Sequence, residues 1–435
     1  MLKRKIVDKL LEWKQSKPKK ALIVKGARQV GKTFIIEQFG KTNYPNFVSI
    51  NFEASIFMRS IFDGDLDVDT IILSLSLVMP KAKLVPGKTL LFFDEIQSCP
   101  QALTALKFFT MDGRFDVIAS GSLLGIAYKQ VSSWPVGYIE TLELSGLDFE
   151  EFLWASGYDA EAILAIHRAY LQKTPLPPAV HERLNQLFRE YIVVGGMPDV
   201  VQTYVQQHDF QAVLKKQKDI ILNYMDDIAK YATVAEKSKA KACFMSIPMQ
   251  LAKENKKFQY KSFDAAGNAR KYESSLHWLL DAGIIRIGHN LQCLEGPLAA
   301  YKKIEAFKVY LSDTGLLISM LDEGTAAKII NGELGIYKGA IYENIIADVF
   351  GKMERPLYYY EKDSRLEIDF VITTEHGITV VEVKSSENTK SKSLKTILTE
   401  NASVFGYKLS TKNLIVSERI HHYPLYMSAF MEMKS

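Results

Sequence analysis

The sequence predicts an α/β chain: a mostly parallel sheet built around a phosphate-binding loop, then a helical and winged-helix-like region, then a C-terminal α/β region. Three observations carry this. An apolar run ends in Gly26-Ala27-Arg28-Gln29-Val30-Gly31-Lys32-Thr33, and another, about 60 residues later, ends in Asp94-Glu95. Strand-like and helix-like periodicities alternate between these points and beyond them. Near the C-terminus, two alternating strands flank a short turn and carry Asp369 and Glu382.

An amphipathic opening helix is marked by Leu2, Ile6, Leu10 and Trp13. Leu22-Ile23-Val24 then run into the loop, and Phe34, Ile35 and Phe39 follow it at helical spacing. Strand, loop and helix in that order make Gly26, Ala27, Arg28, Gln29, Val30, Gly31, Lys32 and Thr33 the candidate ATP-binding residues. Loop N–H groups and the helix dipole converge on the phosphates, Lys32 adds a full charge, and Thr33 offers a hydroxyl to Mg²⁺. Phe47–Phe52 reads as a second strand, with helical spacing through Ile71, Leu73 and Leu75 behind it. A third strand, Thr89–Phe93, delivers Asp94 to hold Mg²⁺ and Glu95 to orient and deprotonate the attacking water. The fourth, Phe115–Ala119, ends at Ser120-Gly121-Ser122, where either Ser120 or Ser122 meets the γ-phosphate or the turn is purely structural. Tyr138–Leu144 and a helix from Asp148 to Trp154 complete an ATPase domain over residues 1–150.

These motifs, with Leu147-Asp148-Phe149-Glu150-Glu151-Phe152-Leu153, resemble a large group of bacterial and archaeal AAA-type ATPases that carry a second, C-terminal domain of unknown function. The resemblance implies ATP hydrolysis with Mg²⁺. Two departures stand out: serine replaces the asparagine such sites commonly carry at the end of the fourth strand, and neither Arg28 nor Arg114 is placed as an arginine finger.

Residues 151–232 read as a helical connector, broken at Pro175-Leu176-Pro177-Pro178 and at Gly195-Gly196-Met197-Pro198. The second break is either a plain turn or, as the resemblance implies, the start of the C-terminal half. Residues 233–300 give helix, extended piece, helix and strand, an order that resembles a winged helix, with Lys256, Lys257, Lys261, Arg270 and Lys271 as phosphate-contacting candidates and Glu273 interrupting the basic face. Residues 201–300 hold 14 Lys and Arg against 10 Asp and Glu, so a DNA or RNA surface is expected there; the alternative is a packing module.

In residues 301–435 the strands Arg365–Ile372 and Ile378–Lys384 are joined by Thr374-Glu375-His376-Gly377. A turn centred between Glu375 and His376 sets Asp369 opposite Glu382 and Glu367 opposite Lys384, all on one face. Opposed carboxylates repel unless a cation lies between them, which points to Mg²⁺ or Mn²⁺ held by Glu343, Asp369 and Glu382, with Lys384 polarising water. The arrangement resembles the PD-(D/E)xK nuclease core, a restriction-endonuclease-like fold, with Glu343 in the place of the acid on its first helix. Ser385, Ser386, Lys390 and Lys392 are either phosphate contacts beside this site or a polar loop.

A net charge of +4 over 435 residues does not by itself demand a polyelectrolyte partner. Cys99, Cys243 and Cys293 form no paired motif, and neither a signal-peptide core nor a bilayer-length apolar run is present, so a cytoplasmic protein without membrane attachment is expected. Two functions compete. One is an ATPase coupling nucleotide state to a nucleic-acid-directed, nuclease-type region; the other is an ATP-dependent switch whose nuclease-like fold is a platform for a protein partner. A small-molecule kinase fits less well because of Glu95 and the large C-terminal region. Oligomeric state is left open.

Overall fold

The computed structural model describes residues 2–122, 135–231, 234–333, 335, 337–363, 366–384 and 391–431. The chain falls into two compact units, one formed by Arg4–Ser145 with Asp281–Gly283 and the other by the remainder. None of the helices in the described residues is long and apolar enough to cross a membrane.

In the first unit, β1 (Ala21–Gly26), β2 (Asn46–Asn51), β3 (Thr89–Asp94), β4 (Asp116–Ser122) and β5 (Ile139–Glu143) form a parallel sheet in the order β2-β3-β4-β1-β5. Parallel strands covered on both faces need continuous apolar sequence, and Leu90–Phe93 of β3 and Leu22–Val24 of β1 are buried throughout. The helices are cut by local chemistry. Asp67 accepts the Thr70 N–H at 2.9 Å to start Val68–Val78, while Pro100 opens Pro100–Asp112 and Gly113, at φ 71°, closes it. Phe93 sits at the centre of the core, with ring contacts to Phe52, Phe62 and Phe109 at 5.5–5.9 Å.

The second unit begins with Phe149–Ala155, opened by a capping box in which Asp148 accepts the Glu151 N–H at 2.8 Å and Glu151 accepts that of Asp148 at 3.1 Å. Helices Ala160–Leu171, Pro178–Val194, Pro198–Gln207, Phe210–Tyr231 and Val234–Leu251 follow. Gly195-Gly196 is a buried turn between two of them: the Gly196 carbonyl accepts the Leu147 N–H at 2.6 Å, and the Gly196 N–H donates to Asp313 at 2.6 Å. A Cβ on Gly195 would lie 2.2 Å from Asp313 Oδ1, so only glycine fits.

After a short 3₁₀ turn at Tyr260–Ser262 and the helix Ala269–Asp281 come β6 (Ile285–Leu291), β7 (Lys302–Leu311), the helix Lys338–Lys352, β8 (Leu357–Lys362) and β9 (Leu366–Ile368), which build a sheet in the order β7-β6-β8-β9. Then β10 (Phe370–Thr374), β11 (Gly377–Val383), β12 (Phe405–Ser410), β13 (Ile415–Val416) and β14 (Ile420–Pro424) form a second sheet in the order β10-β11-β12-β14-β13.

Two expectations are corrected. The boundary drawn at residue 300 falls inside a sheet, because β6 pairs with β7 across it and with β8 beyond it. The strand expected over 365–372 is broken at Asp369, where the chain passes from one sheet to the other. The turn at Glu375-His376 and the pairing of Phe370 with Val381 follow the expected register, but Glu367 lies opposite Glu361 of β8 and not opposite Lys384. Arg365, Ser385, Ser386 and Lys390 lie outside the described residues.

Because Phe93 is fully buried among three other rings, Phe93→Ala is expected to lower stability by about 3–5 kcal/mol, read as a shift in urea unfolding.

Candidate functional site

The C-terminal edge of the parallel sheet gathers the first set of polar side chains. β1 delivers the loop at Gly26, where a Cβ would stand 2.1 Å from the Leu144 carbonyl oxygen, so the backbone approach excludes any side chain. Gln29 and Gly31 take φ of 64° and 90°, bending the chain into the helix Lys32–Asn43. Arg4 fixes the loop from behind, donating to the Val30 carbonyl at 3.3 Å and to that of Ser145 at 2.6 Å. Ala27 and Val30 are buried beneath the loop, and Arg28 is half-buried beside it.

Lys32 is buried and curls over the loop, with Nζ donating to the Gly26 and Ala27 carbonyls at 3.0 and 2.8 Å. Burial brings its ammonium pKa down to about 8; Glu95 and Asp94 oppose that shift, and Arg28 adds to it. Asp94 is 2% exposed and is met by neutral donors from three directions. Thr33 Oγ1 lies 3.1 Å from both its oxygens, Asn51 Nδ2 donates to Oδ2 at 2.8 Å, and Ser120 Oγ donates to Oδ1. Ser120 thus faces Asp94.

Glu95 adopts φ 54°, an uncommon conformation for a residue with a side chain, and its carboxylate accepts a hydrogen bond from Gln97 Nε2. Asn51 and Gln97 were not singled out from sequence; Asn51 ends an apolar strand in register with Asp94, a position that would have marked it. Arg114 is engaged elsewhere, pairing at 2.7 Å with both Asp69 and Asp112.

These residues fit Mg²⁺-ATP. The loop is open only to backbone, one ammonium is held over it, and a hydroxyl and a carboxylate are already joined as a magnesium donor pair.

The second set lies in the C-terminal region, within one compact unit. Glu343, on the helix Lys338–Lys352, is fully buried. Its Oε1 accepts from Lys308 Nζ at 2.9 Å and Tyr310 OH at 2.6 Å, and its Oε2 accepts from Lys256 Nζ. Lys308 also donates to Glu367 at 2.7 Å. Burial alone would raise the Glu343 carboxyl pKa, but Lys256 and Lys308 outweigh it and hold the group ionised. Asp369 shifts the other way, raised by burial and then by the charge of Glu343; its Oδ2 accepts the Val383 N–H at 2.7 Å. Glu382 Oε1 pairs with Lys384 at 2.7 Å, and across the ladder Glu382 is in register with Lys408.

The tension between opposed carboxylates is therefore relieved by lysines. Among the described residues no three His, Cys, Asp or Glu side chains are arranged to hold a metal ion, which corrects the expectation that Glu343, Asp369 and Glu382 come together as such a group. Two of the basic residues expected to face phosphate are also engaged: Lys256 with Glu343, and Lys271 with Asp264 at 2.6 Å. Lys261 and Arg270 are exposed and Lys257 is half-buried. Lys308 could have been found as a lone charge in the apolar strand Phe307–Leu311.

Residues 18–153 match the family model described as an AAA domain. This segment is an AAA-type P-loop domain. Two further segments of the chain match families described as domains of unknown function, over residues 185–327 (DUF8612) and 338–429 (DUF4143). No curated protein compared with the sequence matches it. Among solved structures, a Walker-type ATPase of Pyrococcus abyssi is similar at 14% identity and a TM-score of 0.44, covering 74% of this chain and 96% of that one. The ORC1 protein of Aeropyrum pernix, solved in complex with DNA, aligns at 10% identity and 0.31 over 75% and 92% of the two chains. The RuvB Holliday junction branch migration motor of Thermotoga maritima aligns at 15% and 0.30 over 65% and 89%.

The lowered pKa of Lys32 makes nucleotide affinity pH-dependent in a definite direction. Phosphates bind the protonated form, so above pH 8 binding must take up a proton, and affinity is expected to fall toward about tenfold per pH unit. Calorimetric titration of nucleotide across this range should show that fall in the wild type and none in Lys32→Ala.

Proposed function

We propose that the chain binds and hydrolyses ATP at the P-loop edge of its parallel sheet and couples nucleotide state to its C-terminal regions. The observation that carries this reading is the convergence of Thr33, Asn51 and Ser120 on the buried Asp94, beside Glu95 and beneath the ammonium of Lys32. Mg²⁺, held by Thr33 and Asp94, would supply charge neutralisation at the phosphates. Lys32 exchanges its bonds to the loop carbonyls for the β- and γ-phosphates, and the loop N–H groups orient them. Glu95 accepts the proton of the attacking water, and Gln97 restrains the carboxylate that does so. Ser120 acts through Asp94, keeping that carboxylate turned toward Thr33.

For the coupled region, the exposed Lys261 and Arg270, with Lys257, support a nucleic-acid-directed surface on a winged-helix-like segment. A second reading, favoured by the two lysines on Glu343, takes the nuclease-like fold as a binding platform that does not cut.

Lys32→Ala is expected to abolish turnover and weaken nucleotide binding, whereas Glu95→Gln keeps binding and loses about 10²–10⁴-fold in turnover. Phosphate-release assays beside nucleotide titrations check both, and normal hydrolysis by Glu95→Gln would assign the base elsewhere. Single- and double-stranded DNA and RNA incubated with Mg²⁺ or Mn²⁺, with and without ATP, should remain uncut; cleavage that disappears in Lys384→Ala would reverse the second reading.

A further inference from the structure

The helix Ala269–Asp281 turns one face onto a cavity of about 610 Å³, lined wholly by residues of the second unit. Ala269, Glu273, Leu276, His277 and Leu280 recur at helical spacing along that face, and all of them line the cavity. The other walls come from residues 258–261 and from β6 and β7. Aromatic rings form much of them. Phe258 lies nearly parallel to Phe307, at 16° and 5.9 Å, and Tyr260 meets Phe258 edge-on at 5.3 Å. His289 stands 6.2 Å from the Phe307 ring, and its Nδ1 is buried with no hydrogen-bond partner. Burial holds the pKa of this imidazole below its ordinary value, so the ring is neutral at pH 7.

Size and lining suit a small planar ligand. Sites of about 300–1,000 Å³ with apolar, aromatic walls and a few polar groups bury molecules of that kind. Here the polar groups are the amides of Gln259 and Asn268, the imidazoles of His277 and His289, and the carboxylates of Glu273 and Glu305. Amides and carboxylates meet the amino and carbonyl edges of nucleobases, and aromatic rings meet their faces. The rim complements a phosphate backbone. Lys261 lines the cavity and is exposed, Arg270 is exposed one residue after Ala269, and the exposed Lys302 acts electrostatically on His289. The helix face itself argues against duplex docking. A helix laid in a major groove presents polar and basic side chains to the base edges, whereas this face carries two leucines and a carboxylate 3.9 Å from His277 Nε2. A paired base keeps both faces stacked, so the base that enters such a cavity is an unpaired one.

We infer that this cavity is a base-binding pocket for single-stranded nucleic acid, in which an unpaired base stacks on the rings of Tyr260 and Phe307 while Lys261 and Arg270 hold the flanking phosphates. The inference rests on the reading of this winged-helix-like segment as a nucleic-acid-directed surface, and it names the form of strand that the surface takes. Stacking supplies affinity whatever the base, because every base has a π-face. The carboxylate of Glu273 adds an acceptor for an exocyclic amine.

The test uses the full chain in EDTA without nucleotide, so that no cleavage intervenes, and follows the fluorescence anisotropy of labelled strands about 12 nucleotides long, within the usual footprint of single-strand sites. The probes are a deoxycytidine homopolymer, its RNA counterpart, a mixed-sequence duplex and an abasic strand of the same length. The wild type should bind one or both base-bearing single strands at least about tenfold more tightly than the duplex or the abasic strand. Ala269→Trp fills the cavity from an exposed position and should lose that margin while keeping the weak binding that remains. Lys261→Ala should weaken every strand alike and flatten the salt dependence. Equal affinity for base-bearing and abasic strands, a comparison within the wild type that needs no variant to fold, would overturn the pocket and leave a phosphate-binding surface in place. Tighter binding of the duplex, or an undiminished margin in a folded Ala269→Trp, would also overturn it. Absence of binding to every probe would remove the nucleic-acid reading itself, so the two failures are told apart.

Discussion

A buried carboxylate must be met by hydrogen-bond donors or by a cation, and the protein solves that problem twice in opposite ways, once at a strand end and once on a helix. At Asp94 the partners are a threonine, an asparagine and a serine, all neutral. They keep the carboxylate in place without cancelling its charge, so its attraction for a cation survives. At Glu343 the partners are two ammoniums and a tyrosine, and the charge is spent within the protein. One arrangement is left with something to bind and the other is already satisfied. The difference in chemistry between the two regions follows from the charge of the donors, since burial is similar in both.

The parallel sheet of the first unit was legible because β1 and β3 each combine a continuous apolar run with a chemically specific end. Leu22–Val24 before the loop and Leu90–Phe93 before Asp94-Glu95 need only the rule that doubly covered strands are apolar throughout. Side-chain identities around Asp94 were partly legible. Ser120 or Ser122 was expected to meet the γ-phosphate, or their turn to be purely structural; Ser120 faces Asp94, a rotamer choice that no spacing encodes. Gln97 reaches Glu95 through a hydrogen bond that leaves no periodic trace in a sequence, whereas Asn51, which also accepts from the Glu53 and Ala54 N–H groups, was marked only by its place at a strand end.

The C-terminal region was read less well, for a physical reason. The hairpin register follows from a two-residue turn and held through Phe370–Thr374, but nothing in the alternation of Arg365–Ile372 says that the chain changes sheets at Asp369. That break takes Glu367 away from Lys384. Nor could local pattern foresee that the counter-charges come from far along the chain: Lys256 and Lys308 reach Glu343 across 87 and 35 residues. Long-range charge pairing is where a sequence with no structure is least informative.

The same pairing has a consequence for how the chain can be divided. Lys256 and Lys308 belong to the segment matched by one family of unknown function, and Glu343, Glu367 and Asp369 to the segment matched by the other. A cut between residues 327 and 338 would leave an ammonium on one side and an ionised carboxylate on the other, each stripped of the group that allows it to be buried. The two segments are therefore a single electrostatic unit. Grafting either one onto another scaffold would mean supplying the missing charges as well as the missing surface.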